Sequence, residues 1–125
     1  MPPITERTLN KWKTLVDRID YYTSTNKVTW KPSADEDAFV ARVANNQLSL
    51  HATNNAIDST ASDYIVKIYN KDGEVVDSFS DEDLGRDYYP KMRQLYLGIT
   101  RKNNGSDDIL DDILGSLPDP NELPF

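Results

Sequence analysis

Cysteine is absent from the 125-residue chain, and histidine occurs once, at His51. Without thiols there is no disulfide, no thiolate nucleophile and no Cys-ligated metal site, and a cytoplasmic setting is the simplest expectation. A zinc site would need three carboxylates beside or instead of the one imidazole, a set that zinc rarely takes alone, so no metal or cofactor is expected. Long apolar runs are missing too. Met1 to Leu15 holds no continuous hydrophobic segment followed by a small-residue cleavage site, so neither a signal peptide nor a membrane span is predicted. No glycine-rich phosphate loop follows a strand-like segment, no nucleophile elbow is visible, and no internal repeat is found. These absences argue against an enzyme.

What is present suits one soluble globular domain: 38% hydrophobic and 28% charged residues, with strong periodicity. The formal charge of −7 is unevenly spread. Residues 1–105 hold all 14 Lys and Arg against 15 of the 21 acids, a formal −1, while residues 106–125 hold Asp107, Asp108, Asp111, Asp112, Asp119 and Glu122 and no base. A nearly neutral body argues against a general nucleic-acid binder, which needs a concentrated basic surface. The acidic end argues for a basic protein partner.

The periodicity predicts an α+β domain over residues 1–117 and an extended tail over 118–125. Leu9, Trp12, Leu15, Val16 and Ile19 line one face of a helix that starts at Thr5 or Thr8 and runs to Tyr22. Val28-Thr29-Trp30 reads as a short strand stopped by Pro32. Phe39, Ala41 and Val43, then Leu48, Leu50 and Ala52, alternate as a hairpin turning at Asn45-Asn46. Tyr64 to Tyr69 and Glu74 to Phe79 form a second hairpin around Asn70-Lys71-Asp72-Gly73. Ser80 to Asp83 carries a helix start, Pro90 suits a first turn, and Met92, Leu95, Tyr96 and Ile99 follow as an apolar stripe ending near Asn103. Ser106 is expected to cap a last helix whose Ile109, Leu110, Ile113, Leu114 and Leu117 face inward or towards a partner. The order implies an antiparallel sheet of four or five strands with helices on one side.

Candidate sites are few. His51 falls opposite Leu50 and Ala52 in the alternation and is expected on the outer face of its strand. Asp81, Asp83, Gly85 and Asp87 resemble a calcium loop loosely, but the glycine is one position early and Met92 stands where a bidentate Glu belongs, so helix capping is expected. Asp107, Asp108, Asp111 and Asp112 complement a helix dipole and form an acidic interaction face, with a magnesium site as the lesser alternative. Asn104-Gly105-Ser106 has the letters of a glycosylation sequon in a chain not expected to be secreted. Tyr88, Tyr89, Lys91, Arg93, Arg101 and Lys102 mix aromatics with bases and are the candidate wall of a weak single-strand nucleic-acid groove; Trp12 and Trp30 are assigned to the core.

The sharpest signal is Glu122-Leu123-Pro124-Phe125. A terminal ring fits an apolar pocket, the main-chain carboxylate suits an Arg or Lys, and Pro124 lowers the ordering entropy of binding. This tip resembles the acidic tail of bacterial single-stranded-DNA-binding proteins, in which aspartates precede Ile or Leu, then Pro, then Phe. In that family the tip docks onto replication and repair enzymes, and Asp119, Glu122, Leu123, Pro124 and Phe125 match it here, with Pro120 and Asn121 interrupting the acidic run. The body lacks the five-stranded Greek-key pattern of that family's barrel. It resembles instead small bacterial and phage proteins of unassigned activity that share a Trp-containing strand, an Ile-Tyr-Asn…Asp-Gly-Glu hairpin and a Leu-Tyr helix followed by Leu-Asp-Asp-Ile-Leu. The function expected is a non-enzymatic adaptor whose tip binds a basic pocket on a DNA replication, repair or defence protein. The alternatives are an acidic inhibitor or immunity protein blocking a basic nuclease or defence enzyme, and a weak single-strand binder.

Overall fold

The computed structural model describes residues 5–34, 37–54 and 62–121. Its elements run α1 (Glu6–Ser24), β1 (Lys31–Pro32), β2 (Ala38–Val43), β3 (Asn46–Asn54), β4 (Ser62–Tyr69), β5 (Val75–Ser80), α2 (Asp81–Leu84), α3 (Tyr88–Asn103) and α4 (Ser106–Ser116). The five strands form one antiparallel sheet in chain order, β1-β2-β3-β4-β5. This is the predicted α+β layout, with every sheet connection between neighbours and the core between the sheet and helices α1 and α3.

Alternation and helical spacing decide which side chains enter that core. Phe39 pairs with Leu50, Ala41 with Leu48 and Leu50 with Val66 across the sheet, and Val66 pairs with Phe79. Trp12, Val16 and Ile19 from α1 and Met92, Leu95 and Ile99 from α3 cover them, all buried. Trp12 stacks on Phe79 with ring centroids 5.0 Å apart and donates its Nε1 proton to Asp77 Oδ2 at 2.8 Å. Phe39, Tyr96, Tyr64 and Tyr89 continue the aromatic layer as a chain of tilted and edge contacts. Each ring thereby meets the polarised edge or face of a neighbour, a contribution of about 0.5–1.5 kcal/mol per pair beyond area burial.

Several local expectations shift. Thr5 caps α1 by accepting from the Thr8 N–H, and the helix runs two residues past Tyr22. Val28-Thr29-Trp30 is not a strand: the Val28 N–H is drawn to Tyr22 O, and Trp30 is buried by an irregular segment in which its Nε1 donates to Thr23 Oγ1 at 2.9 Å. Strand pairing begins at Lys31 and includes Pro32, tolerated because β1 is an edge strand. The first hairpin turns at Ala44-Asn45, both with positive φ (52° and 67°), and Asn46 already belongs to β3. The core register forces this, since moving the turn by one residue would swap the two faces of β3. Val43, expected inside, is exposed.

Gly73 takes the left-handed conformation expected of it (φ 82°), and Asn70 Oδ1 accepts from the N–H groups of Asp72 and Glu74 to hold the second turn. The segment after β5 is two helices. Ser80 and Asp83 close a capping box on the single turn of α2, Gly85 breaks it at φ 101°, and α3 starts afresh at Tyr88. Ser106 is not the cap of α4; that place is held by Gly105 in the left-handed region.

Candidate functional site

Helix α4 is the element that the fold leaves uncovered. Its acids and aliphatics segregate by helical spacing: Asp107, Asp108, Asp111 and Asp112 share one side, and Ile109, Leu110, Ile113, Leu114 and the following Leu117 share the other. The expectation that this stripe faces inward is overturned. No residue of α4 is buried, and the five aliphatics are 46–68% exposed. The physical reason lies in the sheet, whose helix-facing side is covered by α1 and α3. Of the two orientations expected for the stripe, the inward one is not taken.

The link to the body is short. Asn104 follows α3, Gly105 turns the chain at φ 66°, and Arg101 Nη2 reaches Asp107 Oδ1 at 2.6 Å. Both partners are at least half exposed, so solvent screens the pair and its contribution is about 0–1 kcal/mol. Asp108, Asp111 and Asp112 are exposed and make no ion pair among the described residues. Beside the first turn of α4 lies a cleft of about 840 Å³ between the end of α1 and α3, with Val28, Trp30, Leu95 and Ile99 among its apolar lining.

After α4 the chain stays exposed through Asn121, and it is not simply extended there. The Asn121 N–H donates to Asp119 Oδ1 at 2.9 Å, a local turn built from the Asp-Pro-Asn sequence. Of the tip residues, Asp119 is described and exposed, whereas Glu122, Leu123, Pro124 and Phe125 lie outside the described residues.

The candidate nucleic-acid wall is not gathered on one surface. Tyr88 and Lys91 turn towards α1, where the Tyr88 hydroxyl donates to Asp17 Oδ2 at 3.2 Å and Lys91 Nζ to Asp17 Oδ1 at 2.6 Å. Burial first, then the Asp17 charge, raises the Tyr88 phenol pKa, while the hydrogen bond to Asp17 raises that of Lys91. Tyr89 packs towards Tyr64 of the core, Lys102 donates to Asn26 Oδ1, Arg101 is paired with Asp107, and Arg93 is exposed. Two of the four cations are thus matched by carboxylates, which weakens the field that phosphates would meet.

His51 lies on the face of β3 opposite Leu50, as expected, and is half-buried. In the calcium-like segment Asp81 is buried, 5% exposed, and its Oδ1 accepts from the Tyr64 N–H at 2.8 Å. Burial raises its pKa, opposed by that hydrogen bond and reinforced by Asp63 and Asp83. Asp83 accepts from the Ser80 N–H as the other half of the capping box. Among the described residues no group of three His, Cys, Asp or Glu could hold a metal ion, and no helix is long and apolar enough to cross a membrane. Sequence reasoning found the stripe of α4 but not its exposure, because amphipathicity marks a face without naming what covers it. Compared with family models, curated proteins and solved structures, the chain matches none.

Proposed function

We propose that the protein is a non-enzymatic interaction module that binds a basic protein partner through α4 and the residues that follow it. The exposure of the whole apolar face of α4 carries this reading. An amphipathic helix laid into an apolar groove is recognised through anchors at spacings of three and four, which Ile109, Leu110, Ile113, Leu114 and Leu117 supply. Charge selects the occupant. Residues 106–125 carry six acids and no base, so a groove with a basic rim complements the segment, whereas a second copy would bring two such segments together. Leu123 and Phe125 extend the same segment as further apolar anchors. Their resemblance to the tail of single-stranded-DNA-binding proteins directs the search for the partner towards replication, repair or defence proteins.

The test compares proteins captured from a bacterial lysate by the full chain, by Ile113→Glu and by a chain lacking residues 123–125. A basic protein retained by the full chain and lost with Ile113→Glu, with unchanged melting temperature of the bait, supports the reading. Identical capture by the full chain and Ile113→Glu sinks it, and loss with the deletion alone transfers binding from α4 to the tip. The inhibitor reading draws on the unpaired carboxylates of Asp108, Asp111 and Asp112. It is distinguished by Asp108→Lys with Asp112→Lys, which would then abolish binding while Ile113→Glu does not.

A further inference from the structure

The sheet face away from the helices carries a second, independent feature. Across β2, β3 and β4 the register sets Val40, Ser49 and Lys67 in one row, Ala38, His51 and Ile65 in the next, and Arg42, Gln47 and Tyr69 on the other side. Leu48, Leu50 and Val66 are buried on the helix side, so the alternate residues of these strands share the outer face. On that face the small side chains of Ala38 and Ser49 form the floor of a cavity of about 190 Å³, and Gln47, His51, Lys67 and Tyr69 stand around it. Lys67 stands across from Ser49 at the strand spacing of about 4.8 Å and diagonal to both Gln47 and His51 at about 7–8 Å, whereas Gln47 and His51 mark opposite ends of the cavity, about 13–14 Å apart along β3.

Composition of the cavity identifies its ligand. Among the described residues no Asp or Glu lines it. Lys67 contributes a full positive charge, Gln47 an amide N–H, His51 a ring N–H, and Ser49 and Tyr69 hydroxyl protons. None of these five side chains makes a hydrogen bond or ion pair with another residue, in contrast to the Lys91, Arg101 and Lys102 side chains on α3. A divalent cation would meet an ammonium and, among the described residues, no carboxylate, and an apolar group would strip water from five polar side chains without replacing its hydrogen bonds. An oxyanion can accept from Lys67 and from the neutral or ring donors nearest to it, Ser49 and His51. We infer that this cavity on the outer sheet face is a binding site for a small oxyanion of the phosphate class, with Lys67 as its charge partner and Ser49 and His51 as further donors. Free phosphate and the phosphate monoester of a larger molecule share this chemistry. The site stands apart from α4, and its failure leaves the reading of α4 untouched.

The experiment is a titration of the 15N-labelled full chain with potassium phosphate and, in a parallel arm, with phosphoserine, at fixed pH and with chloride holding the ionic strength constant. Saturable shifts confined to amides around Ser49, His51 and Lys67 are expected. Loss of the charged donor in Lys67→Gln weakens binding by about tenfold or more, loss of the ring donor in His51→Ala by about threefold, and Lys11→Ala on α1 not at all. Tighter binding of phosphoserine assigns the site to a monoester, and equal binding to the free anion. Non-saturating shifts, equal weakening by Lys11→Ala, or full affinity in both Lys67→Gln and His51→Ala overturns the inference.

Discussion

Asp81 does what a surface carboxylate cannot: at the start of α2 it completes the hydrogen bonding of β4 by taking the Tyr64 N–H. Asp81→Ala leaves that buried N–H unpaired and is expected to cost about 1–3 kcal/mol in urea unfolding, whereas Asp81→Asn keeps an acceptor and costs less. The pH dependence has a definite sign. Because the folded carboxyl holds its proton more tightly than the unfolded one, ionisation disfavours the fold. The resulting loss of stability begins as pH rises through the ordinary carboxylate value, 3.8, and is complete above the raised folded value. Asp81→Asn should remove this falling component from a profile of melting temperature against pH. Trp12 offers a second check, since Trp12→Phe keeps the ring stack and deletes the bond to Asp77, with an expected loss of about 1.5–3 kcal/mol for a hydrogen bond to a charged acceptor. The pairing of Trp12 with Asp77 spans 65 residues, and no local spacing rule announces it.

At the scale of elements, helices and strands were legible where one period ran uninterrupted. Trp12, Val16 and Ile19 repeat cleanly, as do Leu48 and Leu50 or Tyr64 and Val66, and all are buried as the pattern requires. Reading failed where a tertiary demand outranked local preference. Asn45-Asn46 is the better turn by composition, yet the pairing of Phe39 with Leu50 sets the turn at Ala44-Asn45. An alanine at positive φ carries roughly 1–2 kcal/mol of strain. Ala44→Asn, a residue at ease in that region, should therefore raise stability by about 0.5–1 kcal/mol in thermal melts. Trp30 departs from expectation for a similar reason, because an aromatic after two β-branched residues reads as a strand, whereas Thr23 offers its indole a partner outside the sheet. For α4 the test is contrast. Met92→Ala in α3 should cost about 2–5 kcal/mol, while Ile113→Glu should stay within about 0.5 kcal/mol of the parent. An 11-residue helix without tertiary cover is marginal in water, and its amides should exchange faster than those of α1 and α3.

Over the whole molecule, the α+β layout could be read from the order of periodic segments, because an antiparallel sheet in chain order needs only short connections. The sites were less legible. Exposure is a property of what remains after the core is filled, so the stripe on α4 gained its meaning only from the completed packing of α1 and α3. The polar cavity on the outer face joins residues from three strands that no linear motif connects. Charge asymmetry belongs to this scale too. A partner held by the acidic arm should dissociate more readily between 50 and 300 mM salt, as the screening length falls from about 14 to about 6 Å, and a flat response would remove charge from the recognition.

Asp77 has a consequence of its own. Its Oδ2 holds the indole of α1 while its Oδ1 accepts from the Ser78 N–H of the edge strand β5, removing a donor from the sheet's open margin. Helix attachment and edge protection thus depend on one carboxylate. Loss of that carboxylate, as in Asp77→Ala, would loosen α1 and at the same time free a donor on an edge strand whose Val75 and Val76 are already exposed, so a single substitution would favour chain-to-chain assembly without any change to the sheet's own pairing.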